Sequence, residues 1–301
     1  MDLYLMSPPH PTWKLRGRSN FRSKEAPEVD ARIARREWLA LATAIEQEGG
    51  TVAVLPPDPE LSGLPYAAEA GHGLPPKEAG GKMRFLLPRM KGEHRKLERD
   101  KWKPFVERLG FEVVDPVVSE DAGIWEGQGD VAVFGPYTFL FYGGRTDRAG
   151  AEAARAHFSG DVSLIGVEPP AFHGNMCVLP LGTSRTAWLC ADAIDEHSIA
   201  ILEAKIGRDR THFVSEEEIR LYATNALPIG KTLLAPSIMP VRTQKLAEHA
   251  GMTVKLFEMK ELCEKAGGAS RCLVCKVEKA ENISIPDEYR LERARAEIES
   301  T

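Results

Sequence analysis

The sequence predicts an α/β protein, because one local pattern recurs and because predicted strands and helices alternate along the chain. In that pattern an amphipathic helix ends at glycine and a short apolar strand follows. The pattern occurs at residues 30–55, 96–114 and 241–257. Glycine ends helices because it adopts the left-handed conformation without a Cβ penalty. The short β-rich runs that follow are typical of buried strands.

The remaining elements fit the same class. Further strands are predicted at 131–134, 138–142, 162–167, 186–191, 232–235 and 272–277, and further helices at 148–158, 194–204 and 215–223. Residues 56–93 are rich in Pro, Gly and charge, and they are predicted to form a long loop of a kind that is often functional. No linker clearly divides the 301 residues, so we expect a single domain over residues 1–301.

Composition excludes several classes of function. Hydrophobic residues make up 43% of the chain and charged residues 28%, which is enough for a sizeable core. The net charge of −5 argues against nucleic-acid binding, which requires a basic face. The N-terminus does not resemble a signal peptide, and no apolar run is long enough to span a membrane. Five cysteines, an odd number, argue against a disulfide framework, and we therefore expect a cytoplasmic location. A homodimer is one candidate assembly.

Cys272 is the candidate nucleophile. It follows Gly267 and Gly268, and it is predicted to lie at the mouth of an apolar strand. A nucleophilic thiol needs backbone freedom before it, a rigid element behind it and a positive charge nearby, which Arg271 can supply. A buried structural cysteine is the competing interpretation.

Cys272 and Cys275 also form a Cys-x-x-Cys pair. A structural zinc site would need a second pair at similar spacing, which the other three cysteines do not form. A redox dithiol would be expected to open a helix, whereas this pair is predicted to lie in a strand. We therefore predict no metal and no cofactor, and the role of Cys275 stays open.

Four other segments carry candidate polar groups. His173, between Phe172 and Gly174, becomes a candidate acid/base when it is considered beside a cysteine nucleophile. Glu126 and Asp130 flank a glycine turn, where two carboxylates can bind a planar cation. Arg145 lies between a strand and a helix start, and Arg95 lies in a basic run, so each is a candidate anion clamp. A satisfied core histidine, a solvated hairpin, a helix cap and a solvated basic run are the respective competing interpretations.

Together these motifs resemble the pentein superfamily of guanidine-modifying enzymes. They are an acid-Gly-Asp loop, a Gly-x-Arg-Thr helix start, a histidine, an Ala-x-Asn motif at residues 223–225 and a Gly-Gly…Cys turn, in that order between Trp125 and Lys276. The superfamily includes dimethylarginine dimethylaminohydrolases, arginine deiminases and amidinotransferases. The bacterial dimethylarginine hydrolases are the most similar in the spacing of these motifs.

The resemblance implies both a fold and a mechanism. The fold would be a five-bladed α/β propeller of ββαβ-type modules around a pseudo-fivefold axis. Cys272 would attack the guanidino carbon of a small-molecule substrate, and His173 would protonate the departing amine and then activate water. Glu126 would orient His173 or bind the guanidinium, with Asp130 as a second candidate. Arg145 and Arg95 are similar to residues that hold a substrate α-carboxylate.

The resemblance also contains departures that bear on the substrate. The substrate-binding set would further include Glu69, Asn175 and Asn225. Family members that bind unsubstituted guanidines usually have His-x-Asp, whereas this chain has Asn175 at the third position. Glu69 stands where Asp or Asn is usual, and the acid-Gly-Asp loop is one residue longer than in dimethylarginine hydrolases.

The first hypothesis is hydrolysis of a C–N bond of an arginine-like, N-substituted or unsubstituted guanidino compound to a ureido product. The alternatives are an amidinotransferase, a non-catalytic binding module, and a redox or zinc protein based on Cys272 and Cys275.

Overall fold

The computed structural model describes residues 1–17, 20–116 and 123–300. It confirms the mixed α/β class, since short strands and helices alternate along the described chain. The strands are β1 (Leu3–Met6), β2 (Thr51–Val54), β3 (His72–Leu74), β4 (Arg84–Leu86), β5 (Glu112–Val114), β6 (Val131–Phe134), β7 (Tyr137–Tyr142), β8 (Asp161–Gly166), β9 (Val178–Leu181), β10 (Thr186–Leu189), β11 (Thr211–Phe213), β12 (Leu227–Ile229), β13 (Thr232–Pro236), β14 (Thr253–Phe257) and β15 (Cys275–Val277). The α-helices are α1 (Ala31–Gln47), α2 (Arg99–Leu109), α3 (Arg148–Arg155), α4 (Glu196–Ile206), α5 (Glu216–Arg220), α6 (Val241–His249) and α7 (Leu291–Glu299).

The strands form three-stranded sheets that share one connectivity. In four sheets an antiparallel hairpin is followed by a helix and then by a third strand, which lies parallel to the second. These sheets are β3-β4-β5, β6-β7-β8, β9-β10-β11 and β12-β13-β14. The helix is needed because a parallel neighbour must start at the far end of the preceding strand.

The fifth sheet joins the two ends of the chain. Strand β1 pairs in parallel with β2 after the α1 crossover, and it pairs antiparallel with β15. Leu3 therefore lies opposite both Thr51 and Val277. This sheet has the connectivity of the other four, except that its antiparallel edge comes from the opposite end of the sequence. The arrangement of these five modules as a five-bladed propeller stays a prediction.

Local signals in the sequence explain where several elements begin and end. The Asp30 side chain accepts hydrogen bonds from the backbone N–H groups of Arg32 and Ile33, so it caps α1. Helix α2 ends at Gly110, whose φ of 106° favours glycine. The three predicted helix–glycine–strand units correspond to α1 and β2, α2 and β5, and α6 and β14.

Two predictions about secondary structure are wrong. Residues 56–93 are not a long loop, because they contain β3 and β4, whose three-residue length leaves no periodic signal. The predicted strand 272–277 begins only at Cys275. Cys272 instead lies in a turn, where its N–H donates to Ala269 O at 2.9 Å. The candidate nucleophile thus precedes the strand.

The apolar core consists of clusters around large side chains. Trp38, Trp102, Trp125 and Trp188 are fully buried, and each belongs to a different cluster.

Within the described residues, no helix has the length and apolar character required to cross a bilayer.

Candidate active site

Cys272 is fixed in its turn by contacts from two other parts of the chain, one around residues 66–68 and one at Asn225. Its N–H donates to Asn225 Oδ1 at 3.2 Å, and its carbonyl accepts from the N–H of Ala68 at 3.1 Å. Gly268 is required nearby, because a Cβ there would lie 2.3 Å from the ring of Tyr66. The thiol is 7% exposed, and it lines a cavity of about 60 Å³.

This cavity, here called the thiol cavity, collects residues from distant parts of the sequence. Of the predicted site residues it contains Cys272, Glu69, Arg95, Arg145 and Asn225. The sequence did not predict the aromatic residues that line this cavity, which are Tyr66, Phe172 and Tyr222. It also did not predict the N-terminal residues Leu15 and Asn20, which line it too. No motif identified these residues, since apolar and aromatic side chains are common in any core. The volume has room for only a few water molecules.

The surroundings of the thiol act on its pKa in opposite directions. Burial raises the pKa of Cys272. The hydrogen bond from Asn225, the positive charge of Arg271 and the contact with Asn175 lower it in part. Asn175 Nδ2 lies 3.7 Å from Cys272 Sγ, while its buried Oδ1 has no hydrogen-bond partner among the described residues. An additional cation beside the sulfur would therefore favour the thiolate.

His173 is buried among carboxylates. Its Nε2 donates to Glu126 Oε2 at 2.8 Å, and Asp130 Oδ2 lies 3.9 Å from the same nitrogen. On the other side of the ring, Nδ1 lies 3.3 Å from Glu69 Oε1. Glu69 thus connects the imidazole to the thiol cavity, because its side chain contacts one and lines the other. Asn175, two residues after the histidine, makes the second connection through its contact with Cys272.

Glu126 precedes the short 3-10 helix Gly127–Asp130 and Asp130 is its last residue, yet the environments of the two acids differ. Burial alone would raise the pKa of Glu126, but the hydrogen bond and charge of His173 hold it at about 2. Burial raises the pKa of Asp130 to about 6, although Thr146 Oγ1 donates to it at 2.6 Å and the Gly174 N–H at 2.8 Å. The two carboxylates beside one imidazole therefore differ in their readiness to take up a proton.

Arg95 is buried and pairs with acidic side chains of the protein, which distinguishes it from an exposed anion clamp. Its Nε and Nη2 donate to Glu98 at 2.8 and 2.6 Å, its Nη2 also donates to Gly63 O, and its Nη1 forms an ion pair with Glu69. The side chain is buried, so these contacts use most of its donors. Sequence reasoning missed Glu98, although its i,i+3 spacing from Arg95 was an available signal.

Arg145 is the more accessible of the two arginines. Gly144 allows the backbone to approach Phe172, whose carbonyl accepts from the Arg145 N–H at 2.9 Å. The guanidinium lies 5.0 Å from the Phe172 ring centroid and 3.6 Å from Glu126. Its side chain is 21% exposed and lines the thiol cavity, where it can meet an anionic group.

Cys275 lies apart from the thiol cavity. It is the first residue of β15, fully buried, with its sulfur 3.5 Å from Gly71 O. All five cysteines are free thiols. Across residues 1–17, 20–116 and 123–300, no group of three or more His, Cys, Asp or Glu side chains is arranged to hold a metal ion.

Comparisons with known proteins identify relatives of two kinds. No family model matches the chain. The chain is 27% identical over 196 residues to the bifunctional arginine dihydrolase/ornithine cyclodeaminase ArgZ of Synechocystis sp., covering 64% of this chain and 27% of that protein. It is 26% identical over 255 residues to the N(G),N(G)-dimethylarginine dimethylaminohydrolase of Mycobacterium tuberculosis, covering 83% of this chain and 77% of that protein.

Solved structures give the same two kinds of neighbour. The N-terminal domain of ArgZ, covalently bound to a reaction intermediate, aligns with a TM-score of 0.82 and 22% identity, covering 92% of this chain and 98% of that domain. A dimethylarginine dimethylaminohydrolase adduct aligns with a TM-score of 0.70 and 18% identity, covering 91% of this chain and 99% of that one. The chain therefore has the fold of the arginine and dimethylarginine hydrolases of the pentein superfamily.

Proposed function

We propose that this chain is a hydrolase that cleaves a C–N bond of an arginine-like guanidino compound, with Cys272 as nucleophile and His173 as general acid/base. The observation that carries the proposal is the position of Glu69. Its carboxylate lies 3.3 Å from the imidazole, and it lines the cavity that holds the thiol. A planar cation in that cavity would meet an acid, a thiol and, through the acid, an imidazole.

The acidic groups would bind and position the substrate guanidinium. Glu69 and Asp130 are the charged candidates, because carboxylates pair well with guanidinium N–H groups. Asn175 Oδ1 is a neutral acceptor without a partner among the described residues, and Nδ2 of the same side chain lies 3.7 Å from Cys272 Sγ. A bound guanidinium would also supply the cation that favours thiolate formation at Cys272.

The chemical step would proceed in two halves. In the first, Cys272 Sγ bonds to the guanidino carbon, one C–N bond breaks, and the amine leaves with a proton from His173. In the second, His173 removes a proton from water, the resulting hydroxide adds to the carbon, and the C–S bond breaks. The products are a ureido compound and the free thiol. Glu126 would hold the imidazole in position throughout by its 2.8 Å hydrogen bond.

The far end of the substrate would lie toward Arg145, which can pair with an α-carboxylate. Asn225 holds the turn that presents Cys272. Arg95 would act mainly by positioning Glu69, since its donors already serve two acids and a carbonyl. An arginine-sized molecule exceeds the cavity volume of about 60 Å³, so it would extend beyond this cavity or would require its walls to move apart.

The relatives support hydrolysis of a guanidino group. Two of them are named as an arginine dihydrolase and a dimethylarginine dimethylaminohydrolase, and an ArgZ structure contains a covalent reaction intermediate. Among the residues that the structure describes, no feature of the site favours transfer to an acceptor amine over transfer to water. The cytoplasmic location, the single domain and the homodimer stay predictions.

A substrate screen tests the proposal directly. Wild-type protein and Cys272→Ala would be incubated with arginine, methylated arginines, agmatine and guanidino acids, and ureido product, ammonia and amine would be measured. We expect turnover of at least one compound, and a loss of about a thousandfold or more in the variant. Mass spectrometry of enzyme quenched during turnover should locate a covalent adduct on Cys272.

Three outcomes would contradict the proposal. They are no ureido product from any compound, equal turnover by Cys272→Ala, and an adduct located on Cys177 or Cys190. Formation of a new guanidine when an acceptor amine is added would instead identify an amidinotransferase, since that reaction shares the first half.

A further inference from the structure

A second and larger cavity begins beside the candidate nucleophile. Its volume is about 630 Å³, within the range of roughly 300–1,000 Å³ that small-molecule sites occupy. Asn175, which contacts Cys272 Sγ, and Arg271, which precedes Cys272, both line it. Consecutive residues of the chain thus line different cavities. We call this one the arginine cavity, after Arg84 and Arg271.

The two guanidinium groups of the arginine cavity bond only to backbone carbonyls among the described residues. Arg84 Nε donates to Pro75 O at 3.0 Å and Nη2 to His157 O at 3.4 Å. Arg271 Nη1 donates to Val178 O at 2.5 Å. Carbonyl oxygens satisfy individual N–H donors, but they do not neutralise the charge.

Arg84 is an exception among the buried arginines of the described chain. Arg35 pairs with Glu297, and Arg95 pairs with Glu69 and Glu98. Arg84 is only 7% exposed, and none of its described neighbours is a carboxylate within ion-pair distance. A charge removed from water is costly unless a counter-charge meets it, so such a site is suited to an external anion.

The other charged groups of the arginine cavity leave it positive. Lys276 and Lys279 bring the number of basic side chains in the lining to four. The acidic side chains in the lining are Glu278 and Glu281. Lys276 already pairs with Asp2 and Glu278. Burial lowers the pKa of His72, another lining residue, to about 4, so that imidazole is neutral. A locally positive cavity in a chain of net charge −5 is not a consequence of overall composition.

We propose that the arginine cavity binds a small anionic molecule through a carboxylate or phosphate group, with Arg84 and Arg271 as its charged contacts. Guanidinium groups suit both anions because they offer two parallel N–H donors. Arg271 connects this site to the thiol, since its charge favours the thiolate of Cys272. An anion that neutralises Arg271 therefore lowers the reactivity of that thiol.

Calorimetric titration of the full chain tests the site. Inorganic phosphate, sulfate and citrate serve as probes, and their relative affinities distinguish phosphate from carboxylate recognition. We expect one equivalent to bind saturably, and about tenfold weaker binding by Arg84→Gln. Arg208→Gln is the matched control, because the side chain of Arg208 is 89% exposed and lies outside the cavity.

Other outcomes would overturn the site. They are no saturable binding of any probe, and binding that is as tight in Arg84→Gln as in wild type. Loss of binding in Arg145→Gln but not in Arg84→Gln would move the anion to the thiol cavity. If thermal unfolding shows that Arg84→Gln does not fold, Arg84→Lys replaces it, because lysine keeps the charge and loses the paired donors. Arg84→Lys is then expected to bind several-fold more weakly.

Alkylation of Cys272 gives a second, independent readout. Its rate with iodoacetamide, followed on the Cys272 peptide by mass spectrometry, should fall several-fold at saturating anion in wild type and not in Arg84→Gln. An unchanged rate in wild type would overturn the assignment of Arg271. This measurement requires no turnover, so it remains readable if the hydrolase proposal fails.

Discussion

The two cavities on either side of the Arg271-Cys272 pair differ in size and in how their charged groups are paired. The thiol cavity is about 60 Å³ and is connected through Glu69 to a buried group of acids around His173. The arginine cavity is about 630 Å³, with two guanidinium groups that lack described acidic partners. The acids around His173 therefore suit a cationic group beside the thiol cavity, whereas the guanidinium groups of the arginine cavity suit an anionic group. The predictions below test this division, from the largest expected effect to the smallest.

The largest effect is expected at His173, whose imidazole is surrounded by carboxylates. His173→Ala removes the proton donor for the leaving amine, so kcat should fall by about a thousandfold or more. Covalent adduct on Cys272 should accumulate wherever the first half-reaction still occurs, because water is no longer activated. Steady-state kinetics and intact mass measure both effects. His197→Ala, an exposed matched variant, should retain wild-type rates, and equal rates in His173→Ala would remove the acid/base role.

A smaller effect is expected at Arg145, which lines the thiol cavity. Arg145→Gln should raise KM for arginine by about tenfold to a hundredfold, since a charge-assisted pair with the α-carboxylate is lost. Agmatine lacks that carboxylate, so its KM should change much less. Equal effects on both compounds would show that Arg145 acts through Glu126, 3.6 Å away, and not on the substrate.

Two of the acids beside His173, Asp130 and Glu126, should give opposite pH dependences of stability. The pKa of Asp130 is raised to about 6, above the unfolded value of about 3.9, so the free energy of unfolding falls as pH rises through this window. Asp130→Asn should therefore stabilise the protein at pH 7, by on the order of 2 kcal/mol.

The pKa of Glu126 is held at about 2, so its contribution is present above about pH 4.5 and is lost as pH falls toward 2. Glu126→Gln should destabilise the protein at pH 7. Urea unfolding of wild type and both variants between about pH 2.5 and 7 measures the difference across both windows. If both substitutions shifted stability in the same direction at pH 7, the contrast between the two carboxylates would be wrong.

The smallest effect on activity is expected at Cys275, which borders neither cavity. Cys275→Ala should keep kcat/KM within about twofold of wild type, because the buried sulfur contacts only its structural neighbours. It should lower the free energy of unfolding by about 1 kcal/mol through lost packing. Loss of activity comparable to that of Cys272→Ala would favour the dithiol alternative.

Local sequence signals determined much of the fold. Helices α1, α2 and α6 follow from amphipathic periodicity and from the glycines that end them, because both depend on neighbours within a few residues. The candidate residues Cys272, His173, Glu126 and Asp130 were found through motif order, and the structure places the last three in direct contact. Strands β3 and β4 were missed because three residues carry no period.

Contacts between distant parts of the chain were decided only by the tertiary structure. The sequence by itself determined the α/β class, the helix ends and the set of reactive side chains. It did not determine that β15 pairs with β1, that Glu69 and Glu98 hold Arg95, or that Arg84 and Arg271 share a cavity. The physical reason is that backbone propensity acts over a few residues, whereas charge pairing and cavity shape depend on packing between segments far apart in the chain, such as β1 and β15, in which Leu3 pairs with Val277.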